Sequence, residues 1–160
     1  MIWDRHHLAV FRYVRARLGP AADDVVGDAF AEAFRIRDRF DSALGDSALP
    51  WLLGIATRRM SRSRDAERRW IRRAPIDTER GGVDPIGEAD ERVSIEGLAP
   101  WLHAALADLR RRDRITLLLH VTGDLSIEEI AVALDVPPGT VKSRLHRART
   151  ILAARLEALR

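Results

Sequence analysis

The stretch Ser126–Arg149, SIEEIAVALDVPPGTVKSRLHRAR, leaves a chain very few folds to choose from. Ile127, Ile130, Ala131 and Leu134 recur at the i, i+3, i+4, i+7 spacing that gives a helix one apolar face. Ser126 is suited to cap that helix, and Glu129, three residues on, completes a capping box. The run Asp135-Val136-Pro137-Pro138 stops it, because proline lacks an amide hydrogen and crowds the preceding turn. A second helix is predicted to start near Gly139-Thr140. Its inner face is Val141, Leu145, Ala148 and Leu152, and its outer face is Lys142, Ser143, His146, Arg147 and Arg149. Small Ala131 lets the second helix cross the first closely. Two short helices joined by a tight turn make a helix-turn-helix, whose second helix fits a DNA major groove.

The charge pattern points the same way. From Pro138 to Arg160 six cations face Glu157 alone, a net +5. Such a density suits phosphates, and Lys, Arg, Ser and His also reach base edges. A basic run alone is usually just a solvated face. The tight turn and the cleanly split faces favour DNA. Earlier in the chain, Arg58–Arg73 holds eight arginines against Asp65 and Glu67, a net +6, whereas Ala74–Gly97 holds seven acids against Arg80 and Arg92, a net −5. Basic, acidic and basic blocks in that order suggest two nucleic-acid-facing modules and an acidic connector, although the whole chain is only +3.

The rest of the chain reads as further helices. Trp3–Leu18 presents Leu8, Phe11, Val14 and Leu18 on one face and ends at Gly19-Pro20. Ala21–Arg37 has a broad apolar side through Val25, Val26, Ala29, Phe30, Ala33 and Phe34. Its Asp24, Asp28 and Glu32 form an exposed acidic ridge. That ridge suits either the positive end of the helix dipole or a basic partner, and the sequence favours neither. Phe40–Ala48 is a loop, and Leu49-Pro50-Trp51 opens a long helix with Trp51, Leu52, Ile55 and Ala56 toward the core and Met60 at its edge. Past Met60 arginine takes over, with Trp70 among the cations, either stacking on an unpaired base or capping the core. Ala74–Gly97, with Pro75, Gly81-Gly82 and Pro85, reads as a flexible linker. Leu98–Leu109 is helical, Arg110–Arg114 bridges to a helix over Ile115–Val121, and Gly123-Asp124 leads into the helix-turn-helix.

The expected fold class is therefore all-α, with two small helical domains, 1–73 and 98–160, joined by the acidic linker 74–97. The chain has 160 residues and no cysteine, which excludes disulfides and thiolate catalysis and fits a reducing cytoplasm. No apolar run spans a bilayer, and the start, MIWDRHHLAVFRYVRARLG, has no signal-peptide shape. The five histidines lack metal-site spacing, and no phosphate-binding loop or nucleophile elbow occurs, so no cofactor, metal or catalytic role is expected.

With both basic modules identified, the chain resembles a bacterial RNA polymerase sigma factor of the extracytoplasmic-function (ECF) type. FRYVRARLG, DDVVGDAFAEAFRIRDRF and PWLLGIATRRMSRSRDAERR resemble the family's region two. LADLRRRDRITLLLHVTGDLSIEEIAVALDVPPGTVKSRLHRAR resembles region four. The resemblance implies that Asp24, Asp28 and Phe30 dock on the clamp helices of the polymerase largest subunit. It implies that the Phe40–Ala48 loop, with Phe40, Asp41 and Ser42, captures a base flipped from the −10 element, and that Trp51 also contacts that element. Arg58, Arg59, Arg62 and Arg64 would line the non-template strand. Thr140, Lys142, Ser143, His146, Arg147 and Arg149 would read the −35 element, and the linker would thread toward the catalytic and RNA-exit channels. An anti-sigma factor, often membrane-bound, is the further partner the family implies. The sequence departs from the pattern in three places. No counterpart of the short helix that commonly precedes FRYVRARLG is expected, Gly27 replaces a usual glutamine, and Arg58 a common asparagine. The alternative is a stand-alone helix-turn-helix repressor or activator, which accounts for Ser126–Arg149 but not for the N-terminal arginine helix or the acidic ridge.

Overall fold

The computed structural model describes residues 1–41, 47–72 and 101–158, apart from the side chains of Trp70 and Arg72, and every regular element in this range is helical. Helix α1 (Ile2–Leu18) closes at Gly19, whose φ of 57° lies in the left-handed region that glycine enters without a Cβ clash. A 3-10 turn carrying Pro20 leads into α2 (Ala22–Arg35). After the 3-10 turn Arg37–Arg39, α3 (Leu49–Met60) begins with Pro50 in its first turn, as expected. The arginine-rich continuation is not one long helix. Ser61 Oγ donates to the Arg58 carbonyl at 2.6 Å, the backbone tightens into a 3-10 turn over Ser61–Ser63, and α4 (Arg64–Arg72) follows. Met60, expected at the edge, is fully buried.

The second half is a helix over 101–108 (α5), then α6 (Arg111–Val121), α7 (Ile127–Leu134) and α8 (Pro138–Glu157). Arg111–Arg114, expected as a bridge, form the first turn of α6. The capping box of α7 is present: Glu129 N–H donates to Ser126 Oγ at 3.2 Å, and Ser126 N–H donates to Glu129 Oε2 at 2.9 Å. The prolines do not stop α7. Asp135 does, by taking a left-handed φ of 53°, while Val136 N–H closes on the Ala131 carbonyl at 3.1 Å. Pro137 then caps α8 and Pro138 opens it, where a missing amide hydrogen costs no hydrogen bond. The expected linker 74–97, the boundaries drawn at 73 and 98, Ser42, and the stacking role of Trp70 lie outside the described residues.

The two halves share one continuous core. Helix α7 lies across α3, and Gly54 is what permits it. A Cβ on Gly54 would sit 2.6 Å from the Ala133 carbonyl oxygen, so only glycine lets these backbones meet. Leu53 reaches across in the same seam, with Cδ1 3.0 Å from where a Cβ on Gly123 would stand. Beside it lies an ionic knot. Arg17 Nε donates to Glu67 Oε1 at 3.0 Å, and both side chains are almost wholly buried. Arg17 Nη1 donates to Tyr13 Oη at 2.9 Å, Tyr13 pairs with Thr57 Oγ1 at 2.8 Å, and Thr57 donates to the Leu53 carbonyl at 2.7 Å. From the other half, Arg111 Nε reaches Glu67 Oε2 at 3.3 Å and Arg114 lies 4.0 Å from Oε1. Burial pushes the Arg114 guanidinium down from its ordinary value, Glu67 opposes that shift, and Arg17 and Arg111 add to it.

Candidate nucleic-acid interface

Helix α8 is anchored by Val141, Leu145 and Ala148, which are buried, and this turns the remaining positions outward. Lys142, Ser143, His146, Arg147 and Arg149 are all exposed, as the sequence predicts, while Thr140 is half-buried. Ser143 Oγ donates to the Thr140 carbonyl at 3.0 Å, which holds the hydroxyl close to the helix start. Arg147 is tethered: its Nε and Nη2 donate to the two oxygens of Asp113 in α6, at 3.3 and 3.0 Å. Those hydrogen bonds raise the pKa of Arg147 above its ordinary value. Arg144 lies partly buried beside this pair, and burial, together with Arg112 and Arg147, lowers its own.

The second cationic face runs along α3 and α4. Arg58, Arg62 and Arg64 are exposed, but Arg59 donates to Glu32 of α2 at 2.8 Å. Arg58, Arg59 and Arg62 border a cleft of about 160 Å³ between α2 and α3, completed by Glu32, Ile36 and Ile55. Phe40 packs against Trp51, ring centroids 5.4 Å apart, and contributes to a second cleft of about 340 Å³ with Met1, Ile2, Arg5, His6 and Ala48. Asp41 is exposed beside it. Burial holds the His6 imidazole below its ordinary value, and nearby Arg5 adds to that.

On α2, Asp24 and Asp28 are exposed one turn apart. Glu32, the third carboxylate of the expected ridge, is bridged by Arg35 at 2.6 Å and by Arg59 at 2.8 Å, and these partners hold it below the usual carboxylate range. The ridge therefore offers two open carboxylates rather than three. Phe30 is buried under Trp3, ring centroids 4.6 Å apart, so it supports the ridge from within and does not face a partner. Phe34, 71% exposed with the Arg37 guanidinium 4.8 Å over its ring, is the aromatic that faces out here, which its place in the apolar pattern concealed. Among the described residues no group of His, Cys, Asp and Glu could hold a metal ion, and no helix is long and apolar enough to cross a membrane.

Two outward cationic helical faces on one buried scaffold define a nucleic-acid-binding protein. Residues 2–71 match the family model for sigma-70 region 2, and residues 100–152 match that for sigma-70 region 4. The chain is 32% identical to the ECF RNA polymerase sigma-E factor of Escherichia coli K12 over 160 residues, covering 94% of this chain and 80% of that protein. It is 30% identical to the ECF RNA polymerase sigma factor SigW of Bacillus subtilis, covering 86% and 76%. The chain belongs to the ECF sigma factors, which direct promoter-specific transcription by RNA polymerase. Among solved structures, CnrH in complex with the cytosolic domain of CnrY superposes with a TM-score of 0.66 at 26% identity, covering 98% of this chain and 86% of that one. RpoE of Bartonella quintana, solved with the anti-sigma factor NepR, shares the fold with a TM-score of 0.62 at 24% identity, covering 96% and 92%.

Proposed function

We propose that this chain carries core RNA polymerase to promoters through a division of labour between its two cationic faces. Helix α8 reads the −35 element in the major groove, and Lys142, Ser143, His146, Arg147 and Arg149 are its reading face. The arginines of α3 and α4 follow the non-template strand at the −10 element. The loop that starts at Phe40 and Asp41, walled by Trp51, takes up a base drawn from the stack. Extracting that base costs a few kcal/mol, which a fitted pocket offsets. Asp24 and Asp28 dock on the polymerase, with Phe34 at the edge of that surface. Phosphate contacts supply affinity, and binding weakens steeply with salt.

The observation that carries this reading is the coexistence of both faces on one chain whose halves match regions 2 and 4. A stand-alone repressor needs only the second. The closed packing of α7 on α3 bears on how the chain works. Elements named for positions 25 base pairs apart lie about 85 Å apart along B-form DNA at roughly 3.4 Å per pair. Two modules that touch at Gly54 and Ala133 do not span that distance, so engagement on polymerase parts them. The 24 residues of 74–97, drawn out, reach about 80 Å at roughly 3.3 Å each. We place the chain in the cytoplasm with its polymerase. An anti-sigma factor is the further partner, as NepR is for RpoE in the solved complex.

Run-off transcription tests the proposal. Core polymerase, this protein and a pool of upstream genomic fragments should yield transcripts that vanish when the protein is left out, with start sites that align two upstream elements. Failure to bind core polymerase, combined with a shift of duplex DNA by a dimer, overturns it in favour of the repressor.

A further inference from the structure

Arg147 differs from Lys142 and Arg149, the other cations of the reading face of α8, in being held from below. Asp113, on α6, is 1% exposed, and its carboxylate takes the Nε and Nη2 hydrogens of Arg147 side-on. The arginine itself remains about half exposed. A guanidinium is flat and has two donor edges. With the Nε–Nη2 edge on Asp113, planarity turns the Nη1–Nη2 edge away from the carboxylate. Arg147 lies one helical turn on from Ser143, on the exposed face that also carries Lys142 and His146. A two-pronged donor in that position matches the O6 and N7 acceptors of guanine, the commonest specific contact in the major groove. A free arginine gives up many rotamers when it binds, whereas one already fixed gives up fewer.

We infer that Asp113 is a positioning residue for sequence readout: it holds Arg147 so that the outer edge of the guanidinium meets one guanine of the −35 element. This rests on the assignment of α8 to that element. Asp113 touches no DNA itself, and its effect on base choice passes entirely through Arg147. Because Arg147 keeps the carboxylate covered, the negative charge stays shielded from the phosphates.

The experiment uses holoenzyme assembled from core polymerase and the full chain, challenged with a promoter pool randomised across the −35 region and read out by transcript sequencing. The unaltered protein should enrich guanine at one position that depends on Arg147. Asp113→Asn should cut that preference roughly tenfold and leave the other positions within about twofold. Arg147→Ala should erase the same position, and the double variant should fall no lower than Arg147→Ala alone. Thermal melts run in parallel check that each variant folds. Should Asp113→Asn not fold, Asp113→Glu carries the same test, because it keeps the charge but displaces the carboxylate by one methylene. Loss spread evenly over all positions, or no loss, overturns the inference and leaves Asp113 as a packing residue. A sharper guanine preference in Asp113→Asn overturns it as well, since Asp113 would then be withholding Arg147. If the unaltered protein selects no −35 position, the assignment of α8 itself fails, and that result is distinct from every other.

Discussion

His6 and Ser126 show how single side chains set local stability. His6 is buried between α1 and the start of the loop at Phe40, and its folded pKa lies below the ordinary 6.5. The folded chain therefore binds this proton less readily than the unfolded chain does. The stabilisation from neutral His6 is complete above about pH 6.5 and is lost as the pH falls through the lowered value. Unfolding midpoints measured from pH 7.5 down to 5 should decline, and His6→Asn should flatten that decline. If the two curves stay parallel, His6 is not the group responsible. At the start of α7, Ser126→Ala removes the cap that Glu129 N–H uses. The variant should lose about 1 kcal/mol in denaturant unfolding, because it leaves a helix-terminal donor without its partner.

Gly27 makes the corresponding argument for a helix. It sits in the middle of α2 on the exposed side, and a Cβ there would meet no heavy atom within 4 Å. Gly27→Ala should therefore raise stability by up to about 1 kcal/mol, seen as a higher denaturant midpoint at unchanged slope. A fall instead would mean that the position is held by a contact this fold does not contain. Helices α2, α7 and α8, each with a single apolar face, were legible from periodicity. The stripe read for α1 was misplaced: Leu8 is exposed, and the buried face runs through Val10, Tyr13, Val14 and the ion-paired Arg17, whose polar groups hid it. Helix α6 was legible only from Ile115 on. Its middle is buried on all sides through Ile115, Thr116, Leu117, Leu118 and Leu119, so it has no polar face to phase, and its first turn is written in arginines. The outward residues of α8 were legible for the same reason that its buried ones were. Asp113 and Glu67 were not, because a lone acid inside an arginine run reads as a solvated counter-charge. Their burial comes from helices distant in the chain, α8 for Asp113 and α1 and α6 for Glu67. Ala133 was hidden in a similar way. A small residue off the main apolar stripe looks like helix filler until a second helix is laid against it.

The closure of the two halves on each other turns on a few atoms. Gly54→Ala should make α3 a slightly better helix in isolation yet drive a methyl group into the Ala133 carbonyl. We expect the variant to keep its helical content, to gain in radius of gyration by small-angle scattering, and to unfold in two steps instead of one. An unchanged radius with a single weaker transition would mean that the halves yield without parting. The ionic knot also changes on parting. When closed it gathers Arg17, Arg111 and Arg114 around the single carboxylate of Glu67, whereas separation leaves Arg17 and Glu67 as a balanced pair, releases Arg111 and leaves Arg114 on the Leu106 and Leu109 carbonyls of its own half. Glu67→Gln, by contrast, leaves Arg17 buried without a counter-charge and should cost about 3–5 kcal/mol of stability in denaturant unfolding. The Gly54 seam also has a bearing on how the chain behaves in a crowd. Once α7 lifts from α3, the apolar surface around Leu53 and Ala133 becomes wet, and wet apolar strips find one another. Folding shut keeps free copies dispersed, so on the proposal that polymerase parts the halves, the same contact protects the chain from clumping until it is engaged.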